Sequence, residues 1–341
     1  MSAVTVLFIA AIVFPWACAG QKVAVIDPNA PSSKSVEDFS QASLSGSQLH
    51  ADPVVLLEKA EKKDFTREFL AVQWRPGDRI YLFVVRPANS RLVDAPKPPV
   101  AIYLYGHPSD TDRFMDDGWC ERTTSGGYAA VGFVPALTGH RYHDRPMKQW
   151  FVSELQESLS KSAHDVQMTL NYLSERGDLD MTNVGMFGVG AGGTIAVMAA
   201  SVDSRIKAID LLDPWGDWPL WMQKSEVIPD DERPAYVKPE FLKKVADFDP
   251  VKLLPRLKTP YIRLNQLDDD GTPEEAKKQM EAALPATAER RRFESSVAFY
   301  GEVASGGRVF DWLKLQIKAA DSKVRDATKE TPPGVGSSSG K

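Results

Sequence analysis

The stretch NVGMFGVGAGGTIAVMAA, Asn183 to Ala200, decides the fold. Its opening, Val184 to Phe187, is a short apolar run that reads as a buried strand. Four glycines then fall within six residues: Gly188, Gly190, Gly192 and Gly193. Beyond them Thr194 to Ala200 is small and apolar, the composition of a helix buried on most sides. A strand that passes directly into a helix needs glycine for a tight turn that other residues resist and for close helix–strand approach. The stretch therefore predicts a strand–turn–helix unit.

Strand-like and helix-like runs alternate on either side of it. Val54–Lys62 reads as a short helix. Arg67–Trp74 and Arg79–Arg86 are β-type runs around the turn signal Arg75-Pro76-Gly77-Asp78, a predicted hairpin. Val100–Tyr105 is a continuous apolar run, as in a strand covered on both faces, and Tyr128–Pro135 is another. Between them a helix is expected over about 111–124. The longest helical pattern is Phe151–Glu175, with Leu155, Leu159, Val166, Leu170 and Leu173 near helical spacing and Gly177 as its stop. Further strands are expected at Lys207–Leu212, Pro260–Leu264 and Arg292–Phe299, and further helices at Pro273–Leu284 and Arg308–Ala319. Trp215–Asp249 is too long for a simple connection and reads as an insertion. The pattern is α/β: a mostly parallel sheet of about eight strands with helices on both faces and an antiparallel hairpin leading in.

The chain has 341 residues, 43% of them hydrophobic and 26% charged, enough for a large buried core. A net charge of −5 gives no basic footprint for nucleic acid. Residues 2–19 carry no charge, and Ala17-Cys18-Ala19 offers a small-residue cleavage site before Gly20. Residues 1–19 thus read as a secretory signal peptide, implying an exported, periplasmic or secreted protein with no membrane span after cleavage. An uncleaved anchor, or acylation at Cys18, is the competing reading. A polar linker is expected over 20–52, an α/β domain over 53–320 with a cap over about 214–250, and a disordered tail over 321–341. Cys120 is then the one cysteine of the mature chain, read as a half-buried small hydrophobe without a disulfide.

Gly188-Val189-Gly190-Ala191-Gly192 resembles the nucleophile elbow of the α/β-hydrolase superfamily, and the order of strands and helices from Phe65 to Leu315 is similar to that of its exported dienelactone-hydrolase and acyl-peptidase-like branch. In that family the middle elbow residue is the Ser, Cys or Asp nucleophile; here it is Gly190. The resemblance implies oxyanion donors at the backbone N–H of Ala191 and of His107, the latter in Gly106-His107-Pro108. It places the triad acid at Asp269 or Asp268, or alternatively at Asp213. It expects the histidine in the loop Tyr300–Gly307, but that loop reads YGEVASGG, and the last histidine of the chain is His164. Two of the three triad members are missing, the two that form the covalent bond and move the proton.

The remaining candidates are weaker. His107, His140 and His143, with Asp213 and Asp269, are types that bind metals, but His140-x-x-His143 is not diagnostic, and no metal or other cofactor is expected. His164-Asp165 reads as a structural pair inside the long helix. Ser125, Ser305 and Cys120 are not on elbow-like turns. The favoured expectation is a catalytically impaired pseudo-hydrolase that keeps a pocket for a small ester, amide or peptide ligand, lined by His140, Trp215 and Trp218, with Trp221 and Tyr236 over the same rim. The alternative is an active ester or amide hydrolase with His107 or His140 as base and water as nucleophile.

Overall fold

Val184–Phe187 forms the middle of a strand, Asp180–Val189, that runs directly into the helix Ala191–Val202 through Gly190 alone. This is seen in a computed structural model that describes residues 50–74, 79–92, 95–106, 113–133, 147–268 and 271–318. The strands are β1 (Val55–Glu61), β2 (Phe65–Val72), β3 (Ile80–Pro87), β4 (Pro99–Leu104), β5 (Ala129–Phe133), β6 (Asp180–Val189), β7 (Ile206–Leu212), β8 (Tyr261–Leu267) and β9 (Glu289–Phe293). They form one nine-stranded sheet in the order β1-β2-β3-β5-β4-β6-β7-β8-β9. The β1/β2, β2/β3 and β3/β5 pairs are antiparallel. The pairs from β5 through β4, β6, β7 and β8 to β9 are parallel. The chain leaves β4 for β5 on one side and returns to β6 on the other. The carboxyl ends of β4 and β6 therefore flank the topological switch point, where open α/β sheets bind their ligands.

The helices are α1 (Asp117–Thr124), α2 (Met147–Arg176), α3 (Ala191–Val202), α4 (Trp218–Lys224), α5 (Arg233–Tyr236), α6 (Pro239–Val245), α7 (Pro250–Leu253), α8 (Glu274–Ala282) and α9 (Ser296–Phe299), followed by a helix over 311–318. Two-residue alternation along β4 sorts its side chains between two cores. Val100, Ile102 and Leu104 pack with Leu159, Val166 and Leu170 of α2 and Ile195 of α3. Ala101 and Tyr103, followed by Tyr105, pack with Phe114, Trp119 of α1, Phe310 and Leu313. Each fully buried Val, Leu, Ile or Phe side chain among these contributes about 1.5–3 kcal/mol.

Three expectations are corrected. Val54–Lys62 is not a helix: Val55–Glu61 is an edge strand, because the free edge of β2 supplies backbone partners, and its register shifts between Leu56 and Glu58. The final strand is not Arg292–Phe299 but Glu289–Phe293, whose four leading residues are charged and exposed. After it Ser295 caps α9, its Oγ accepting from Ala298 N at 3.1 Å. Cys120 is fully rather than half buried, and burial pushes its thiol up to about 11. The hairpin turn 75–78, the N-terminal segment 1–49 and the tail from 319 lie outside the described residues. Among the described residues no helix is long and apolar enough to cross a membrane.

Candidate functional site at the end of the sixth strand

Gly190 caps the N-terminus of α3 with φ 52° and ψ −117°, a conformation that glycine adopts and residues with a Cβ resist. Its N–H donates to Leu212 O at 2.8 Å, which ties the turn to the end of β7. Gly192 answers a different need. A Cβ there would lie 2.4 Å from Leu104 O and 2.6 Å from Tyr105 O, so the first turn of α3 rests on the carbonyls that end β4. Ala191 is the first residue of α3, where a backbone N–H has no intrahelical acceptor.

Trp215 stands over this turn. A Cβ on Gly190 would lie 3.4 Å from Trp215 Nε1 and 3.8 Å from its Cε2. Two contacts fix the position of Trp215: Thr194 Oγ1 donates to its carbonyl at 2.8 Å, and its ring packs against Trp221 at 4.7 Å, tilted by 32°. Trp218 meets Trp221 edge-on at 5.9 Å. Trp218, Trp221 and Tyr236 are at most 1% exposed and belong to the core that holds α2 and α3. Asp249 joins the two ends of the Trp-rich segment, since its carboxylate accepts from Asp217 N at 2.9 Å and Trp218 N at 3.0 Å. The sequence reading missed both Thr194 and Asp249. The Asp-Pro start of α7 was the one available signal for Asp249, which also caps that helix through Val251 N at 3.1 Å.

Asp213 follows β7 with φ 41°, a left-handed conformation that Asp tolerates better than most residues. It is 6% exposed. Its Oδ2 accepts from Leu267 N at 2.8 Å and its own N–H donates to Asn265 O at 2.9 Å, so it bridges the ends of β7 and β8. Asp268, by contrast, turns to the surface and accepts from Arg292 Nε at 2.5 Å. Asp269, His107, His140 and His143 lie outside the described residues. The described histidines are His50 and His164. His50 Nδ1 pairs with Glu175 at 2.6 Å. His164 lies edge-on to Trp74 at 5.5 Å, while Asp165 accepts from Trp74 Nε1 at 2.7 Å. That pair docks α2 onto the end of the hairpin.

Tyr300–Ala304 and Ser305–Phe310 are helical turns rather than an open loop. Ser305 Oγ accepts from Arg308 at 2.6 Å, and Ser125 Oγ donates to Arg122 O at 2.7 Å. No cluster of His, Cys, Asp and Glu able to hold a metal occurs among the described residues. A cleft of about 430 Å³ is lined by Lys63, Asp64, Asn89, Glu121 and Gly126 among others. Its Thr124–Gly127 wall precedes β5, which puts the cleft at the opposite edge of the parallel strands from Gly190.

The site thus has a glycine turn, a helix N-terminus and an indole. An indole N–H donates only, so Trp215 cannot take a proton from a nucleophile. No protein-family model matches the sequence, and no curated protein does. Solved structures do. An acetyl xylan esterase from Paenibacillus sp. is 17% identical, with 81% of this chain and 91% of that one covered and a TM-score of 0.60. Acetyl xylan esterase 1 from Thermoanaerobacterium sp. is 14% identical, with 71% and 81% covered and a TM-score of 0.54. An S-formylglutathione hydrolase from Agrobacterium tumefaciens is 15% identical, with 77% and 98% covered and a TM-score of 0.50. The likeness is one of architecture, and it agrees with the strand order and the turn at Gly190: the chain has the α/β-hydrolase fold.

Proposed function

We propose that this protein is a pseudo-hydrolase: it keeps the α/β-hydrolase scaffold, has lost the Ser–His machinery, and binds a small ester, amide or peptide ligand at the carboxyl edge of β4 and β6. One observation carries the reading. The residue at the strand–helix turn, where the fold presents its nucleophile, is Gly190, and the space above it faces the Trp215 indole. A ligand carbonyl there can meet the N–H of Ala191, with that of His107 as its proposed companion, but finds no hydroxyl or thiol to attack it. Oxyanion donors and binding without nucleophile and base supply only about 10³–10⁴ of rate over water.

The reading includes Asp213 or Asp269 as a remnant acid, with Trp215, Trp218 and His140 as pocket residues. It also includes a domain over 53–320 with residues 214–250 as its cap; the Asp249 contacts that join the ends of this segment support that boundary. Export follows from the apolar N-terminus, with residues 1–19 removed.

The test is a fluorophosphonate probe together with a panel of p-nitrophenyl esters on the purified protein. No labelling and buffer-level turnover are expected; ester hydrolysis well above buffer rejects the pseudo-hydrolase reading. For export, the mass of the protein recovered from the periplasm or medium should begin at Gly20, and an intact Met1 terminus rejects cleavage.

A further inference from the structure

Arg113 is a partly buried cation without a carboxylate partner among the described residues. It opens a short turn, Arg113–Met115, between the end of β4 and α1. Its Nη1 donates to Tyr103 Oη at 2.9 Å. Its guanidinium carbon lies 5.3 Å from the centre of the Tyr103 ring and 5.6 Å from that of Tyr300. Tyr103 is 2% exposed, and burial holds its phenol well above the ordinary range. Tyr103 is therefore neutral and cannot cancel the charge of the guanidinium, which stays protonated.

Other buried or partly buried arginines are treated differently. Arg67 pairs with Asp117, Arg86 and Arg176 share Glu68 and Asp178, and Arg263 holds Asp210. Burial penalises an unpaired charge, so each of these has a carboxylate. Among the described residues the charged or polar groups acting most on Arg113 are tyrosines, Tyr103, Tyr300 and Tyr105, against the cost of its burial.

The turn that carries it is built rather than incidental. Phe114 is fully buried against Gly132, where a Cβ would come within 2.1 Å of the ring. Arg67 Nη1 donates to Phe114 O at 3.2 Å and Met115 O at 3.1 Å, and Cys120 Sγ donates to Phe114 O at 3.1 Å. Arg113 follows the carboxyl end of β4 and Tyr300 that of β9, the same edge of the parallel strands that carries Gly190.

We propose that Arg113, held by Tyr103 and next to Tyr300, binds an oxyanion, the carboxylate or phosphate group of a small ligand. A planar guanidinium matches either group through two parallel hydrogen bonds, and the hydrogen bond to Tyr103 helps to position it. The site goes beyond the pseudo-hydrolase reading and does not depend on it, because binding is read without any measure of hydrolysis.

The experiment is calorimetric titration of the full chain with sodium benzoate and with inorganic phosphate, at ionic strength held constant with sodium chloride. Saturable binding of at least one anion is expected, weakened at least ~10-fold in Arg113→Gln and less in Arg113→Lys, which keeps the charge but loses the fork. Tyr300→Ala should weaken binding while leaving the charge in place. Binding of benzoate alone identifies a carboxylate site, of phosphate alone a phosphate site, and of both a general oxyanion site. Binding of neither, or binding undiminished in Arg113→Gln, overturns the proposal. If Arg113→Gln does not fold, phenylglyoxal modification of Arg113 in the unsubstituted protein decides, read by peptide mass. Protection by the same anions supports the site, and modification unaffected by them overturns it.

Discussion

Gly190→Ser introduces a hydroxyl at the strand–helix turn, and on the proposed reading it should leave the protein less stable and no more active than the parent. Gly190 has φ 52° and ψ −117°. Holding a residue with a side chain in so sparsely populated a region costs about 1–3 kcal/mol. The contact term is smaller, because the new Cβ would meet Trp215 Nε1 at 3.4 Å, an ordinary van der Waals distance. The hydroxyl is the harder part: it extends beyond Cβ toward an indole that Thr194 and Trp221 hold in place. At about 2–4 °C per kcal/mol for a domain of this size, the melting temperature should fall by roughly 2–12 °C. Hydrolysis should stay at the level of the parent, since an unassisted serine is a weak nucleophile at neutral pH and Trp215 offers no proton acceptor. Thermal melts give the first quantity and p-nitrophenyl acetate turnover the second. A double variant that adds a histidine within 300–307 is the comparison that should gain activity, provided the new imidazole reaches both the hydroxyl and a carboxylate. Substantial turnover by Gly190→Ser alone would refute the reasoning: a base would already stand in the site, and only the nucleophile would have been missing.

Other substitutions test the frame around the site. Gly192→Ala should destabilise by about 3 kcal/mol or more, because its Cβ meets Leu104 O at 2.4 Å and a strand carbonyl cannot move aside; a urea midpoint close to the parent's would contradict this. Gly132→Ala should cost about 1–3 kcal/mol by forcing Phe114 off its seat between Phe83 and Trp119, and adding Phe114→Leu should recover part of the loss in the same urea assay. Asp178 supplies a pH test. Burial raises its carboxyl, but the hydrogen bond and charge of Arg176, helped by Arg86, prevail and hold it below its ordinary value. A depressed folded-state carboxyl contributes stability that is present above its unfolded value, about pH 3.9, and lost as the pH falls through the folded one. Asp178→Asn should therefore be less stable than the parent at pH 6, with a gap that closes below about pH 4; a gap independent of pH would count against the ion pair as its source.

What the sequence made legible is what the backbone dictates locally. The passage from β6 to α3 could be read from its glycines because a positive φ and a close helix–strand approach are demands that nearby residues must meet. The edge strands were not legible for the opposite reason. Nothing within ERRRF distinguishes β9 from a charged surface segment; its pairing with the backbone of β8 does. Likewise β1 is a strand because β2 offers it an open edge. Trp215 was visible as one of a cluster of tryptophans, but its place over Gly190 depends on Thr194, 21 residues away. Arg113 fell within the helix expected over about 111–124, and nothing in that pattern showed that the fold would bring Tyr103 and Tyr300 beside it. The same distinction bears on how the elbow should be interpreted. Gly188 and Gly192 approach each other so closely that a Cβ on the first would lie 2.4 Å from the carbonyl oxygen of the second, and Gly192 in turn rests on the end of β4. These contacts are needed to pack α3 on the sheet whether or not residue 190 carries a nucleophile. A glycine framework at this turn is therefore a statement about folding, and only the side chains around it can speak for or against catalysis.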